Sequence, residues 1–237
     1  MIQQITTPQL AANYAPLTEP PPKILHGDGL TLRAGTHQEI ATYHRLDSDP
    51  KLSRYSTLSR QTPLEKYPEL LDWITKSFQG TFPKQPLFSW LIELPNKVGD
   101  FAGYVEASVA SANTMVIGCV VDRRHQGTKL SSRACRALLQ WATSIPGIEE
   151  IQGLCHPGNQ KGQNLLRSLG MENIRSRVTS ERFNFPNYYP PNSYATERSQ
   201  MQVWELKRDQ NGAWPPAALP SSLSLNTSMI NPSRSQT

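Results

Sequence analysis

The chain has few cysteines, no long apolar run and no internal repeat, and each gap removes a class of protein. Its three cysteines among 237 residues, Cys119, Cys135 and Cys155, are odd in number and sit in or beside apolar stretches. No pair has the spacing of metal ligands, so no metal is expected. The thiols read as reduced and buried in an intracellular, cytoplasmic protein. No apolar stretch approaches the roughly 20 residues that cross a bilayer, so no membrane partner is expected. The first twenty residues lack the basic start and apolar centre of a secretory signal. The sequon Asn226-Thr227-Ser228 is therefore read as chance. Net charge is +5 and the isoelectric point about 9.2, but no basic stripe interleaved with aromatics accompanies them. Nucleic acid is not the expected partner.

What is present is unevenly spread. The 20 prolines gather at the ends and in a few loops. Residues 1–24 are polar and end in Pro20-Pro21-Pro22, which reads as a flexible arm. Residues 25–208 carry the periodic apolar patterns of one folded domain. Residues 209–237, rich in Ser, Asn and Pro and nearly free of charge, read as a disordered tail.

Within the domain, residues 29–35 alternate as a first strand does. Thr36 with Glu39 three residues on is a capping box, and Ile40, Tyr43 and Leu46 give the helix behind it an apolar face, which Asp49-Pro50 stops. Thr62 and Glu65 form a second such box. Pro68 leaves two choices there: a helix unbroken from Thr62, or a short turn leading into a helix at Pro68. Strand-like runs follow at Leu87–Leu94, Asp100–Val109 and Met115–Val121. Leu130, Ala134, Leu138, Trp141 and Ala142 then recur at helical intervals. Glu150–Cys155 reads as a strand, and the turn His156–Asn159 opens a helix that stops at Gly170. Further strands are expected at Arg175–Phe185 and Gln202–Leu206, with a Pro- and Tyr-rich loop at 186–195. The sum is an α/β fold with a mixed, mostly antiparallel sheet. Its parallel pair would flank the helix that begins near Leu130, with ligands bound where those strands part.

One stretch organises the rest. Between Asp122 and Arg136 stand Arg123, Arg124, Lys129, Arg133 and Arg136 against a single acid. They surround a strand, a glycine-containing turn and a helix N-terminus, whose first N–H groups have no intrahelical partner and carry partial positive charge. A phosphate cradle is one reading; a solvated basic face is the other.

The segment Arg124-His125-Gln126-Gly127-Thr128-Lys129, followed by Asn159 and the helix ending Leu169-Gly170-Met171, resembles the two signatures of the GNAT acyltransferases. The likeness covers about residues 28–208. It is nearest to the ribosomal-protein alanine acetyltransferase type and, within that, to fungal members. The resemblance implies acetyl-CoA as donor and an amine as acceptor, either a protein N-terminus or a small molecule. It implies that Gln126, Gly127, Thr128, Lys129 and Leu130 receive the pyrophosphate on their backbone N–H groups, with Arg124 and Lys129 as charged support. Cys119, Val120 and Val121 would pair with the pantetheine arm and polarise the thioester, and Asn159 would contact its thiol end or simply cap its helix. The sequence also departs from the family. Lys129 stands where Gly or Ala is usual, Leu166 where some members carry a proton-donating Tyr, Gln152 where an acid is found, and Gly162 where Ser or Ala is common. A degenerate CoA-binding or protein-interaction module without catalysis is the alternative to an active N-acetyltransferase.

Direct transfer needs a group that takes a proton from the amine. Glu106 is the best-placed carboxylate, Glu93 the second, and His156 has the titration range for the task. Cys119 and Cys155 as acyl carriers are set aside, since neither has a His-Asp partner in a recognisable motif. Tyr43 and the 186–195 loop are expected walls of the acceptor site.

Overall fold

The computed structural model describes residues 17, 19–52, 55, 64–81, 86–94, 97–175 and 201–215. Eight strands form one sheet: β1 Ile24–Gly27, β2 Leu30–Ala34, β3 Leu87–Leu94, β4 Lys97–Val109, β5 Thr114–Val121, β6 Glu150–Cys155, β7 Glu172–Arg175 and β8 Gln202–Lys207. Their spatial order is β1-β2-β3-β4-β5-β6-β8-β7. Every pairing is antiparallel except that of β5 with β6. The α/β fold with one parallel pair is thus as the sequence implies.

Among the described residues four α-helices flank the sheet: α1 Ile40–Ser48, α2 Tyr67–Phe78, α3 Leu130–Ser144 and α4 Gln160–Ser168. The capping box forms ahead of α1, where the Glu39 carboxylate takes the Thr36 N–H at 2.8 Å. The box expected at Thr62 falls outside the described residues. A 3-10 turn, Leu64–Lys66, leads into α2, with Pro68 in the first turn where its missing N–H costs no bond. Leu130, Ala134, Leu138 and Ala142 seat α3 on one face of the sheet, and Trp141 packs its ring 5.1 Å from Trp90. On the opposite face α1 lays Tyr43 against Tyr104 of β4, ring centres 5.2 Å apart.

Both ends of the domain extend further than the sequence pattern indicates. Strand β1 precedes the first expected strand and docks on α3, where Gly27 lies so close that a Cβ would meet that of Ala137 at 2.8 Å. Ahead of it, the Pro22 carbonyl accepts the Trp90 indole N–H at 3.0 Å. At the other end Trp214 is buried and donates to the Thr143 carbonyl at 3.1 Å, so residues 209–215 pack on the end of α3. A tryptophan offers too much apolar area to leave in water when a groove is at hand. Strand β7 lies at Glu172–Arg175, ahead of the expected Arg175–Phe185; residues 176–185 and the 186–195 loop fall outside the described residues.

Candidate active site

Strands β5 and β6 pair only from Thr114 opposite Glu150 to Ile117 opposite Gly153. Past that point they separate, leaving Gly118–Val121 and Leu154–Cys155 as the two walls of a gap. The ladder with β4 fixes which groups face it. Gly103 stands opposite Val121 and the Asp122 N–H donates to Ala102 at 2.8 Å. By the alternation of an antiparallel pair, the N–H and C=O groups of Cys119 and Val121 therefore turn away from β4 into the gap. Gln126 already uses one of them, its side-chain amide reaching the Val121 carbonyl at 3.4 Å.

The chain leaves β5 through a 3-10 turn at Arg123–His125 and reaches α3 through Gln126–Lys129. Gly127 and Lys129 both take positive φ, +82° and +61°. This pair of left-handed residues turns the backbone N–H groups outward. Among the described residues, none from Gly127 through Ser132 has a hydrogen-bond acceptor. Six consecutive free N–H groups at the start of a 15-residue helix form an anion site, with the helix dipole behind it. The conformation also shows what a lysine at position 129 costs. Glycine enters left-handed space freely, whereas a side chain there costs about 1–2 kcal/mol, so the turn keeps its shape at some strain.

The charged residues of the turn are not equivalent. Asp122 is 5% exposed. It accepts the Arg124 N–H at 3.0 Å and the Arg124 guanidinium at 2.8 Å, and pairs with Arg45 of α1. Arg124 and Arg45 hold its carboxyl well below the usual range. Arg124 is therefore anchored, with its outer side still 61% exposed toward an incoming anion. Arg133 faces away from the turn and donates twice to the Asp28 carbonyl, at 2.9 and 2.6 Å. Lys161 of α4 reaches Gln126 at 3.3 Å and ties the two polar turns together. On the second turn the Asn159 side chain caps α4 by accepting the Gly162 N–H at 3.0 Å.

Gly162 owes its place to this cap. A Cβ there would lie 2.7 Å from the Asn159 amide and 2.8 Å from the Cys155 sulfur. Gly162→Ala is thus expected to destabilise by about 1–2 kcal/mol through overpacking, although helix propensity alone favours alanine. Denaturant unfolding checks the sign.

Glu106 lies on β4 directly opposite Gly118, where the gap begins. Gly118 is exposed, and among the described residues a Cβ there would meet nothing within 4 Å, so space adjoins the carboxyl on the α1 face. Burial, with the nearby Asp47 charge, pushes the Glu106 carboxyl up to about 8. Asp47 in turn accepts the Tyr104 hydroxyl at 2.5 Å and the Tyr67 hydroxyl at 2.9 Å. Tyr43 completes the group through Ser89 at 2.9 Å. The sequence pattern marks Tyr43 alone of these; Asp47, Tyr67 and Tyr104 come from three separate elements, and no local motif links them.

The other proton acceptors are differently placed. Glu93 is engaged by Arg33 at 3.1 Å, near the β1–β2 side of the sheet. His156 sits at the end of β6, stacked 5.3 Å from Tyr55, with Nδ1 accepting the Gly158 N–H at 3.0 Å. That bond leaves the proton of the neutral ring on Nε2, so neither nitrogen offers a free lone pair. The three cysteines are unpaired. Burial drives the Cys155 thiol up to about 11, and contact with Cys135, together with burial, raises that of Cys119 well above the ordinary thiol range. At pH 7 roughly one Cys155 in ten thousand is ionised, too few for a nucleophile. Leu166 covers Gly153, with a methyl 2.6 Å from where a Cβ would stand. Gln152 is buried and donates to Glu150. Among the described residues no His, Cys, Asp or Glu cluster suits a metal, and no helix is long and apolar enough to cross a membrane.

The model of the GNAT acetyltransferase domain matches residues 29–172, a span that takes in the gap, the cradle and α4. The chain belongs to the GNAT acetyltransferase family. Solved members share its architecture at low identity. A spermidine N-acetyltransferase from Vibrio cholerae, in complex with CoA and spermine, is 16% identical with a TM-score of 0.57, over 75% of this chain and 95% of that one. RimJ from Mycobacterium smegmatis, in complex with CoA-disulfide, is 13% identical with a TM-score of 0.59, over 82% and 90%. An acetyltransferase from Salmonella typhimurium that modifies the N-terminal serine of ribosomal protein L7/L12 is 17% identical with a TM-score of 0.57, over 76% and 95%. No curated protein matches the sequence. The donor of a GNAT domain is acetyl-CoA, and the row of free N–H groups from Gly127 to Ser132 suits its diphosphate.

Proposed function

We propose that the protein is an acetyl-CoA-dependent N-acetyltransferase in which an amine attacks the donor directly, with Glu106 as proton acceptor. The observation that carries this reading is the juxtaposition of Glu106 with Gly118 at the point where β5 and β6 part. Acetyl-CoA supplies the acetyl group as a thioester. The cradle from Gly127 to Ser132 holds its diphosphate, with Arg124 and Lys129 adding charge, while the Gln126 N–H expected to join it is bonded to the Arg123 carbonyl at 3.3 Å. Cys119 and Val121 offer backbone groups to the pantetheine arm, and their N–H groups are positioned to stabilise negative charge on a carbonyl oxygen. Val120 between them turns its side chain to the α1 face. Asn159 fixes the opposite wall by capping α4.

The nitrogen of an amine on the α1 side bonds to the acetyl carbon and gives its proton to the Glu106 carboxylate, while the thioester C–S bond breaks and CoA leaves as a thiolate that takes a proton from solvent. With its carboxyl titrating near 8, Glu106 is a stronger base than an ordinary carboxylate once ionised. The unionised cysteines favour one-step transfer over a covalent acyl-enzyme. Acceptors of two kinds fit an enclosed carboxyl beside an open space: a protein N-terminus and a small aliphatic amine.

Calorimetric titration with acetyl-CoA tests the donor half. Binding is expected in the wild type, and Gly127→Trp is expected to weaken it by about 100-fold or more by filling the approach to the N–H groups. Gly127→Ala separates strain from obstruction, since a Cβ there meets nothing within 4 Å. It carries the cost of positive φ but leaves the approach open. Equal affinity in Gly127→Trp and the wild type removes the cradle assignment.

A further inference from the structure

Helix α1 carries two stripes of polar side chains with different destinations. Tyr43 and Asp47, four residues apart, lie on the stripe facing the sheet beside Glu106. There Asp47 takes the hydroxyls of Tyr104 and Tyr67, and Tyr43 meets Ser89. Arg45 lies on another stripe, and Asp49 follows just past the helix end with extended backbone (ψ 114°). Arg45 pairs with Asp122, and Asp49 stands 4.0 Å from Arg123. Both partners belong to the turn that leads from β5 into the cradle. One short helix thus grips the acceptor-side carboxyl group with one stripe and the donor-side turn with the next.

The centre of the connection is the Asp122 carboxylate. It is fixed from behind, because its own N–H is bonded into the sheet at Ala102. Two guanidinium groups converge on it, Arg45 from α1 and Arg124 from the turn, and both remain substantially exposed, at 47% and 61%. Two cations on one carboxylate leave a net positive charge. An anion arriving at the cradle draws on Arg124, and Arg45 then becomes the principal counter-charge of Asp122. The contact between α1 and the turn is strengthened as a result.

We infer that Arg45 is a positioning residue that couples the two substrate sites: donor binding tightens α1 through Arg45 and Asp122, and so orders the Tyr43–Asp47–Tyr104 group that surrounds Glu106. The inference rests on the donor assignment proposed above, and hydrogen exchange on the full chain separates the two. In the wild type, saturating CoA is expected to slow amide exchange in residues 40–48 by about fivefold or more, besides protecting the cradle itself. Arg45→Met keeps the aliphatic stem and leaves Asp122 paired with Arg124. CoA is expected to bind this variant within about threefold of the wild-type affinity and to protect the cradle, while the gain in residues 40–48 is lost. Arg45→Lys, which retains the charge, is expected to keep at least half of that gain. A merely structural Arg45 would alter exchange with and without CoA alike, leaving the difference intact. Protection of residues 40–48 that persists in Arg45→Met, or that is missing from the CoA-bound wild type, overturns the coupling. Absence of any CoA binding to the wild type overturns the donor assignment instead.

Discussion

Glu106→Gln is expected to lower kcat/KM by about 10²- to 10⁴-fold, the usual range for losing a positioned proton acceptor, and at the same time to make the protein more stable. The two effects have one cause. In the unfolded chain the carboxyl titrates near 4.5, whereas in the folded protein burial and Asp47 raise it to about 8. Between those values the native state holds a proton that the unfolded chain releases. Stability therefore falls as pH rises from about 4.5 to about 8 and is flat beyond. At pH 7 this amounts to about 3 kcal/mol, and a neutral glutamine does not incur it. Denaturant melts of both proteins between pH 5 and 9 check the sign: the gap between them should widen with pH. Gln fits the same space, so a variant that is both less stable and inactive would point to a structural role for Glu106.

Gly118→Val is expected to abolish transfer, by about 100-fold or more, without harming the fold. Valine suits a strand better than glycine by roughly 0.5–1 kcal/mol, and among the described residues a Cβ at this position meets nothing within 4 Å. The isopropyl group would fill the space beside Glu106 that an amine must enter. A melting temperature equal to or above that of the wild type, together with lost thiol release, is the expected pair of results. Full activity in Gly118→Val would place the amine elsewhere.

Local patterns of the sequence carried much of this architecture. The capping box at Thr36 and Glu39, the boundaries of β3 and β6, and Gly170 after α4 (φ +81°) follow rules that act within a few residues. The parallel pairing of β5 and β6 followed from the helix between them. Strand β1 has no legible pattern in the sequence because it has only four residues, contains His26, and is held by contacts with α3 more than 100 positions away. Asp47 reads as an ordinary polar residue on an amphipathic helix; its meaning lies in tyrosines 20 and 57 residues distant. Arg124 shows the reverse problem. A charge count assigns it to a phosphate, while in the folded chain Asp122 and Arg45 already share its field. At Lys129 the departure from the family pattern is plain in the sequence, but its left-handed backbone is visible only in three dimensions.

The most direct test of the account is acetyl-CoA-dependent thiol release by the full chain against a panel of amines, spermine, spermidine and Ser- or Ala-initiated peptides, from pH 6 to 9.5. The expected result is release that depends on one class of amine, climbs about tenfold per pH unit at the acid end and levels off above about 8 as Glu106 ionises. Tight binding of acetyl-CoA with no release against any amine in the panel would contradict it, and would identify a GNAT fold that holds the donor without transferring its acetyl group.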